Sequence, residues 1–179
     1  PGAISAVALS PRGTMHCPRE LAYMNKIAVG KQAKGAININ APVAINLRNI
    51  AFAMRRDIHE ITVVVLDRPR HEQLLREIRA AGARVKLISD GDVAAGIQAA
   101  LPESGVDVLM GIGGTPEGVL TAAAIKSIGG EIQCKGWARD EKERQAAVAA
   151  GVDMEHVYTT DELVGGDDVF FAATGATTG

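Results

Sequence analysis

Aromatic side chains are nearly absent: one Trp, two Tyr and three Phe make up only 3% of the 179 residues. A folded core must then be built from Ala, Val, Ile and Leu. Stacking platforms for bases are also missing, which argues against a single-strand nucleic-acid binder. Net charge is equally sparse, with 19 basic against 21 acidic residues and a formal value of −2. No basic field is available to attract a polyanion. The two cysteines, Cys17 and Cys134, are far apart and make no metal-type spacing. They read as free thiols in a reducing compartment. No apolar run is long enough to span a membrane, and no signal-peptide pattern opens the sequence. A cytoplasmic protein binding neither nucleic acid nor membrane is expected. Nothing resembles a Ser-His-Asp constellation or a nucleophile elbow.

What is present is ordinary for a globular protein: 47% hydrophobic and 22% charged residues, in a length suited to one sizeable core. The sequence begins at Pro1 in a strand-like run over 3–9 and stops in a loop over 174–179, after apolar residues 169–173. A piece of a longer protein is expected, with the strand-rich residues 1–40 packing against a preceding part. Residues 26–29 form a second, less regular strand. A helix beginning near Pro42 carries Val43, Leu47, Ile50 and Met54 on one face. The β-branched run 61–66 reads as a strand buried on both faces.

Helix-periodic residues 71–81 follow, with Glu72 and Arg76 spaced to pair and Gly82 as left-handed cap. Residues 84–88 form a strand, 92–101 a helix, 106–110 a strand, 119–128 a helix and 131–134 a short strand. Asp140 with Glu143 gives a capping-box-like start to a helix ending near Gly151. This alternation implies an α/β fold, with a mostly parallel or mixed sheet and helices on both faces.

In such a sheet ligands bind beyond the strand C-termini. Three loops lie there. Asp67-Arg-Pro-Arg-His71 offers Arg68 and Arg70 as phosphate forks, stiffened by Pro69, with His71 beside them to help hold an anion. The alternative is a solvated turn. Ser89-Asp-Gly-Asp92 offers Asp90 and Asp92 to sugar hydroxyls or a metal, but Asp90 also fits an N-cap and Asp92 a first-turn acid. Gly111-Ile-Gly-Gly-Thr-Pro-Glu-Gly118 reads as a glycine turn whose backbone N–H groups, ahead of a helix, suit a phosphate. It matches neither a dinucleotide fingerprint nor a Walker loop. Thr115 as N-cap, Pro116 at the first helical position and Glu117 as a first-turn acid explain it locally as well. His16, His59 and His156 read as surface residues, and Trp137 as a packing residue near a loop.

These three loops, with Tyr23-Met-Asn-Lys-Ile-Ala-Val-Gly30 and Ala172-Ala-Thr-Gly175, resemble the class II fructose-1,6-bisphosphatases. That bacterial family includes glycerol-operon and cyanobacterial sugar bisphosphatases. The resemblance runs through essentially the whole sequence. It implies the metal-dependent sugar phosphatase fold and hydrolysis of a phosphate monoester with Mg²⁺ or Mn²⁺. The implied substrate is fructose 1,6-bisphosphate, in gluconeogenesis. It also implies Glu117 as a metal ligand, and substrate contacts from Tyr23, Arg68, Pro69, Arg70, Asp90, Gly91, Asp92 and Gly114. Homo-oligomers are expected. The family's N-terminal section, which carries most metal-binding acids, precedes the point where this sequence starts, so this piece alone is expected to be inactive. A related inositol or sedoheptulose-type phosphatase, and a non-catalytic sugar-phosphate-binding module, are the alternatives.

Overall fold

Val63, Val64 and Val65 are all fully buried, so the strand β3 (Thr62–Leu66) is covered on both faces. Three consecutive β-branched side chains suit that position, because alternate residues of a strand enter opposite cores. The computed structural model describes residues 4–176. Its main sheet has six strands in the order β4-β3-β5-β2-β6-β7. The others are β2 (Tyr23–Val29), β4 (Arg84–Ile88), β5 (Val108–Gly114), β6 (Glu131–Trp137) and β7 (Val157–Thr159).

β3 pairs in parallel with β4 and β5, whereas β2 runs antiparallel between β5 and β6, and β7 antiparallel to β6. The sheet is therefore mixed. A parallel pair such as β5 and β6 would ordinarily be neighbours; β2, from earlier in the chain, separates them and satisfies the ladder bonds of both.

Period-2 alternation divides the sheet's side chains between two cores. Ile27, Val29, Val63, Val65, Val108 and Met110 meet α1 (Val43–Met54) and α2 (Glu72–Ala81). Met24, Ala28, Val64, Leu109 and Ile132 meet α3 (Asp92–Ala100), α4 (Thr115–Ser127) and Leu163 of the short α6 (Thr160–Leu163). A separate antiparallel ribbon, β1 (Ile4–Leu9) with β8 (Phe170–Gly175), packs on α4. α4 thus lies between sheet and ribbon, which is why the consecutive residues Thr121, Ala122, Ala123, Ala124 and Ile125 are all buried. A helix enclosed all round needs apolar residues all round. The core is aliphatic, as the scarcity of aromatics requires; Phe52 is 87% exposed.

Several expectations shift. β2 starts at Tyr23 rather than at 26, and β6 runs on to Trp137. Part of the expected closing loop is strand, since Thr174 and Gly175 pair with Ser5 and Ile4. Pro1, the Ala3 end of the first expected strand and residues 177–179 lie outside the described residues. The residues 140–151 give α5 (Glu141–Ala149), capped by the Asp140 side chain. Gly82 caps α2 in the left-handed conformation, as its position suggested. Arg76 bonds Gln73 instead of Glu72. His16 and His156 are exposed yet partnered: both rings lie against Tyr158, and His156 pairs with Glu162.

His71 departs most. It is 1% exposed. Its Nδ1 lies 2.7 Å from the Leu66 carbonyl, and its Nε2 accepts the Ile112 N–H at 2.7 Å. Since Nε2 is the acceptor, the ring is neutral with its proton on Nδ1. It ties the ends of β3 and β5 together and has no nitrogen left for an anion. Burial lowers its pKa, with Arg70 and Arg68 adding to the effect against the two backbone bonds.

Between the ordinary imidazole value and this lowered one, the unfolded chain takes up a proton that the folded chain refuses. Stability therefore falls as pH drops through that window. Thermal unfolding of the chain should show a loss of Tm below about pH 6.5 that is smaller in His71→Gln. Equal pH slopes for the two proteins would rule the assignment out.

Candidate functional site at the strand-end edge

The glycine-rich residues are strand rather than loop. β5 continues through Gly111, Ile112, Gly113 and Gly114, paired with Lys26, Asn25, Met24 and Tyr23 of β2. α4 begins at once, with Gly114 as its N-cap and Thr115 as its first residue. Thr115 is therefore not the cap, and its hydroxyl is buried with no hydrogen-bond partner among the described residues. The Ile112 N–H goes to His71 and the Thr115 N–H to the Ala22 carbonyl, so this stretch is strand and not a loose phosphate loop.

The glycines serve approach by neighbouring side chains. A Cβ at Gly113 would stand 2.1 Å from Oδ2 of Asp92 and 2.9 Å from Nζ of Lys26. A Cβ at Gly114 would stand 1.7 Å from Oε2 of Glu117. At Gly113 a side chain would drive into the buried Lys26–Asp92 pair, and at Gly114 it would displace the Glu117 carboxylate. Through these openings the acids of α3 and α4 lie directly on the backbone of β5.

Beneath Gly113, Lys26 and Asp92 form an ion pair of 2.7 Å, with the two residues 2% and 8% exposed. The space under it, shared with His71 and Met110, amounts to about 10 Å³, so the acid has no room to withdraw. Cys134, opposite Lys26 on β6, is fully buried beside the pair. Burial pushes its thiol up to about 12, which leaves it protonated and inert. Asp92 is thus the first-turn acid of α3, held by a lysine.

Asp90 is no N-cap; that place belongs to Gly91, at φ 87°. Asp90 instead bonds Arg68 at 2.8 Å across the edge, exposed. This joins the first two loops. Pro69 opens a short 3-10 turn (Pro69–His71) that swings Arg70 toward β5, where its Nη2 donates to the Ile112 carbonyl at 2.9 Å. Arg70 Nε is buried without a partner, and the guanidinium lies 5.6 Å from the Tyr23 ring centroid. Of the candidate residues, Tyr23, Arg70, Gly114 and Glu117 gather around the meeting of β2 and β5. Arg68, Pro69, Asp90 and Gly91 sit at the outer end, by β3 and β4.

A cavity of about 640 Å³ opens at the opposite edge, by Gly30, Arg56, Leu101 and Asp107. Of its three acids, Asp107 pairs with Arg56 and accepts the Thr62 N–H, and Glu60 accepts the Asp57 N–H. The strand-end edge carries the buried polar atoms without partners and is the better candidate.

A family model described as bacterial fructose-1,6-bisphosphatase, glpX-encoded, matches residues 1–179. The chain belongs to this family. Among curated relatives, a protein of Trichodesmium erythraeum named D-fructose 1,6-bisphosphatase class 2/sedoheptulose 1,7-bisphosphatase is 39% identical over 191 residues, covering 99% of this chain and 55% of the relative. A protein of the same name from Synechococcus elongatus is 39% identical over 192 residues, covering 100% of this chain and 55% of its own length. The chain therefore spans 55% of the length of these relatives.

The metal that this bisphosphatase family uses finds too few ligands among the described residues. Among the described residues no three His, Cys, Asp or Glu side chains are grouped to hold an ion. Mg²⁺ asks for about six oxygens in near-octahedral array, and Glu117 supplies at most one or two. These residues alone do not fit the ion.

Three further residues at the edge carry meaning that the linear pattern missed. Lys26 gives one local signal, a charge inside the apolar run of β2. Trp137 and Arg139, at the end of β6, give none, because they reach Tyr23 only through the β2–β6 register.

Breaking the buried pair should be costly. Lys26→Met leaves Asp92 without its cation and should reduce the chain's unfolding free energy by about 3–5 kcal/mol in urea titration. Combining it with Asp92→Asn should recover part of that loss; additive losses in the double variant would contradict the pairing.

Proposed function

We propose that the longer protein to which this chain corresponds is a class II fructose-1,6-bisphosphatase. It would hydrolyse the 1-phosphate of fructose 1,6-bisphosphate to fructose 6-phosphate, in gluconeogenesis and in the cytoplasm. Family membership over the whole chain supports the reaction class. The observation that carries the substrate class is the edge itself, where Arg70 has a buried, unpartnered Nε beside Tyr23, whose strand partner Gly114 has the Glu117 carboxylate against it. Such a group suits a phosphate ester on a polyhydroxylated carbon chain, since guanidinium forks fit phosphate and carboxylates accept hydroxyl protons.

In this reading Arg68 and Arg70 grip phosphate oxygens. Asp92, kept in place by Lys26, accepts a sugar hydroxyl, and Tyr23 and Gly114 shape the floor. Glu117 contributes one ligand to a Mg²⁺ or Mn²⁺ site whose other oxygens come from parts of the longer polypeptide. Such an ion would supply charge neutralisation and an activated water. The residues of this chain bind and orient the ester. The relatives' names couple fructose and sedoheptulose bisphosphates, so sedoheptulose 1,7-bisphosphate belongs in the same test.

Phosphate release by the full-length protein, with Mg²⁺ or Mn²⁺ and each bisphosphate, is the deciding measurement. Glu117→Gln should lower kcat and metal affinity by at least about tenfold. Arg70→Ala should raise KM roughly 10- to 100-fold, the value of one charged hydrogen bond, with a smaller change in kcat. The 179-residue chain by itself should stay near background. Full turnover in Glu117→Gln would remove the metal assignment. Binding of sugar phosphate without turnover by the full-length protein would favour a non-catalytic module.

A further inference from the structure

We propose that Arg139 is a second phosphate-gripping residue, acting with Arg70 across Tyr23 on the phosphate that is not cleaved. The proposal rests on the sugar-bisphosphate reading above. It adds a seat for the distal phosphate and a residue to hold it.

The seat is built by strand register. Tyr23 stands opposite Gly114 of β5 on one side and Trp137 of β6 on the other. Arg70 arrives from the β3 side, hooked onto the Ile112 carbonyl. Arg139 arrives from the β6 side, two residues beyond Trp137. Both guanidinium carbons lie 5.6 Å from the Tyr23 ring centroid. Trp137 meets that ring edge-on at 6.0 Å and limits its rotation. Two cations, one from the turn after β3 and one from the bend after β6, therefore converge on one aromatic ring, whose π electrons attract both.

Their existing partners do not use them up. Arg70 spends one Nη on a backbone carbonyl and leaves Nε unpartnered. Arg139 meets a single carboxylate, Glu143, and meets it loosely: Nε and Nη2 each stand 3.3 Å away. The short bond of Glu143, at 2.6 Å, goes to the backbone N–H of Arg139. The favoured length for such a charged contact is about 2.7–2.9 Å, so the fork is held at the margin. A phosphate dianion can take the fork while Glu143 keeps its backbone bond and its place in the first turn of α5. Arg70 and Arg139 bring two positive charges to the seat, and the one carboxylate on the Arg139 fork is held loosely. The ligand class is a terminal phosphate monoester on a sugar, or inorganic phosphate mimicking it.

Fructose 6-phosphate is the probe, because it carries the uncleaved phosphate and needs no turnover. Its binding to the full-length protein is measured by calorimetry, with fructose and inorganic phosphate as controls. Arg139→Met should weaken fructose 6-phosphate at least about tenfold; Arg139→Lys should fall between the two, and fructose should be unaffected by either. Glu143→Gln, which removes the competing carboxylate, should tighten fructose 6-phosphate, whereas a purely helix-capping role for Glu143 would not. Loss of affinity for inorganic phosphate equal to that for the sugar phosphate would assign the seat to any phosphate, without reading the sugar.

In kinetics with fructose 1,6-bisphosphate, Arg139→Met should raise KM with little change in kcat, and leave fructose 1-phosphate hydrolysis as in the wild type. Equal binding of fructose 6-phosphate by wild type and Arg139→Met, or no binding by either, overturns the proposal. Normal binding without hydrolysis of any bisphosphate by the wild type would instead overturn the assigned reaction and leave this seat standing.

Discussion

The bare backbone at the end of β5 is the constraint on which the candidate site depends. Gly113 and Gly114 have no Cβ, so the carboxylates of Asp92 and Glu117 lie where side chains of β5 would otherwise project. The first acid is tied to Lys26 from the neighbouring strand, the second folds back from the helix that β5 starts. A single methyl at Gly113 would collide with the ion pair and push α3 away from the sheet. The same edge then loses the floor on which Arg70 and Tyr23 rest.

That constraint also explains the division of labour among the polar groups. Groups that hold the edge are buried and paired: His71 between β3 and β5, Lys26 with Asp92 under β5. Around Tyr23 the partners are loose or missing, as with the buried Arg70 Nε and the exposed Arg139 fork. A buried polar group without a partner is costly, so the unmet donors collect where a ligand can meet them. The two antiparallel strands matter here. β2 carries Tyr23 to the edge where β3, β4, β5 and β6 end, and so places an aromatic ring against two arginines.

Much of the architecture was legible in the sequence because it follows from local pattern. The valine run of β3, the period of α2, its Gly82 cap and the β4–α3 succession each depend on neighbours a few residues away. The loops after β3 and β4 followed, since their position at strand ends comes with the alternation. The residues from Gly111 to Gly114 were not legible as strand, because glycine carries no side-chain alternation and has low strand propensity. The role of His71 was hidden for a similar reason. A histidine beside two arginines resembles an anion site until the carbonyl of Leu66 and the amide of Ile112 are seen to occupy both its nitrogens.

The sequence by itself determined the α/β class, the aliphatic core, the family and the loops that carry arginine and aspartate. Those properties are written in composition, periodicity and short motifs. Only the tertiary structure decided that the glycines extend a strand, that Lys26 answers Asp92 from 66 residues away, and that Arg139 stands over Tyr23. Each of these depends on strand order and register, which are set by the packing of whole elements, and no local pattern encodes which strand lies beside which.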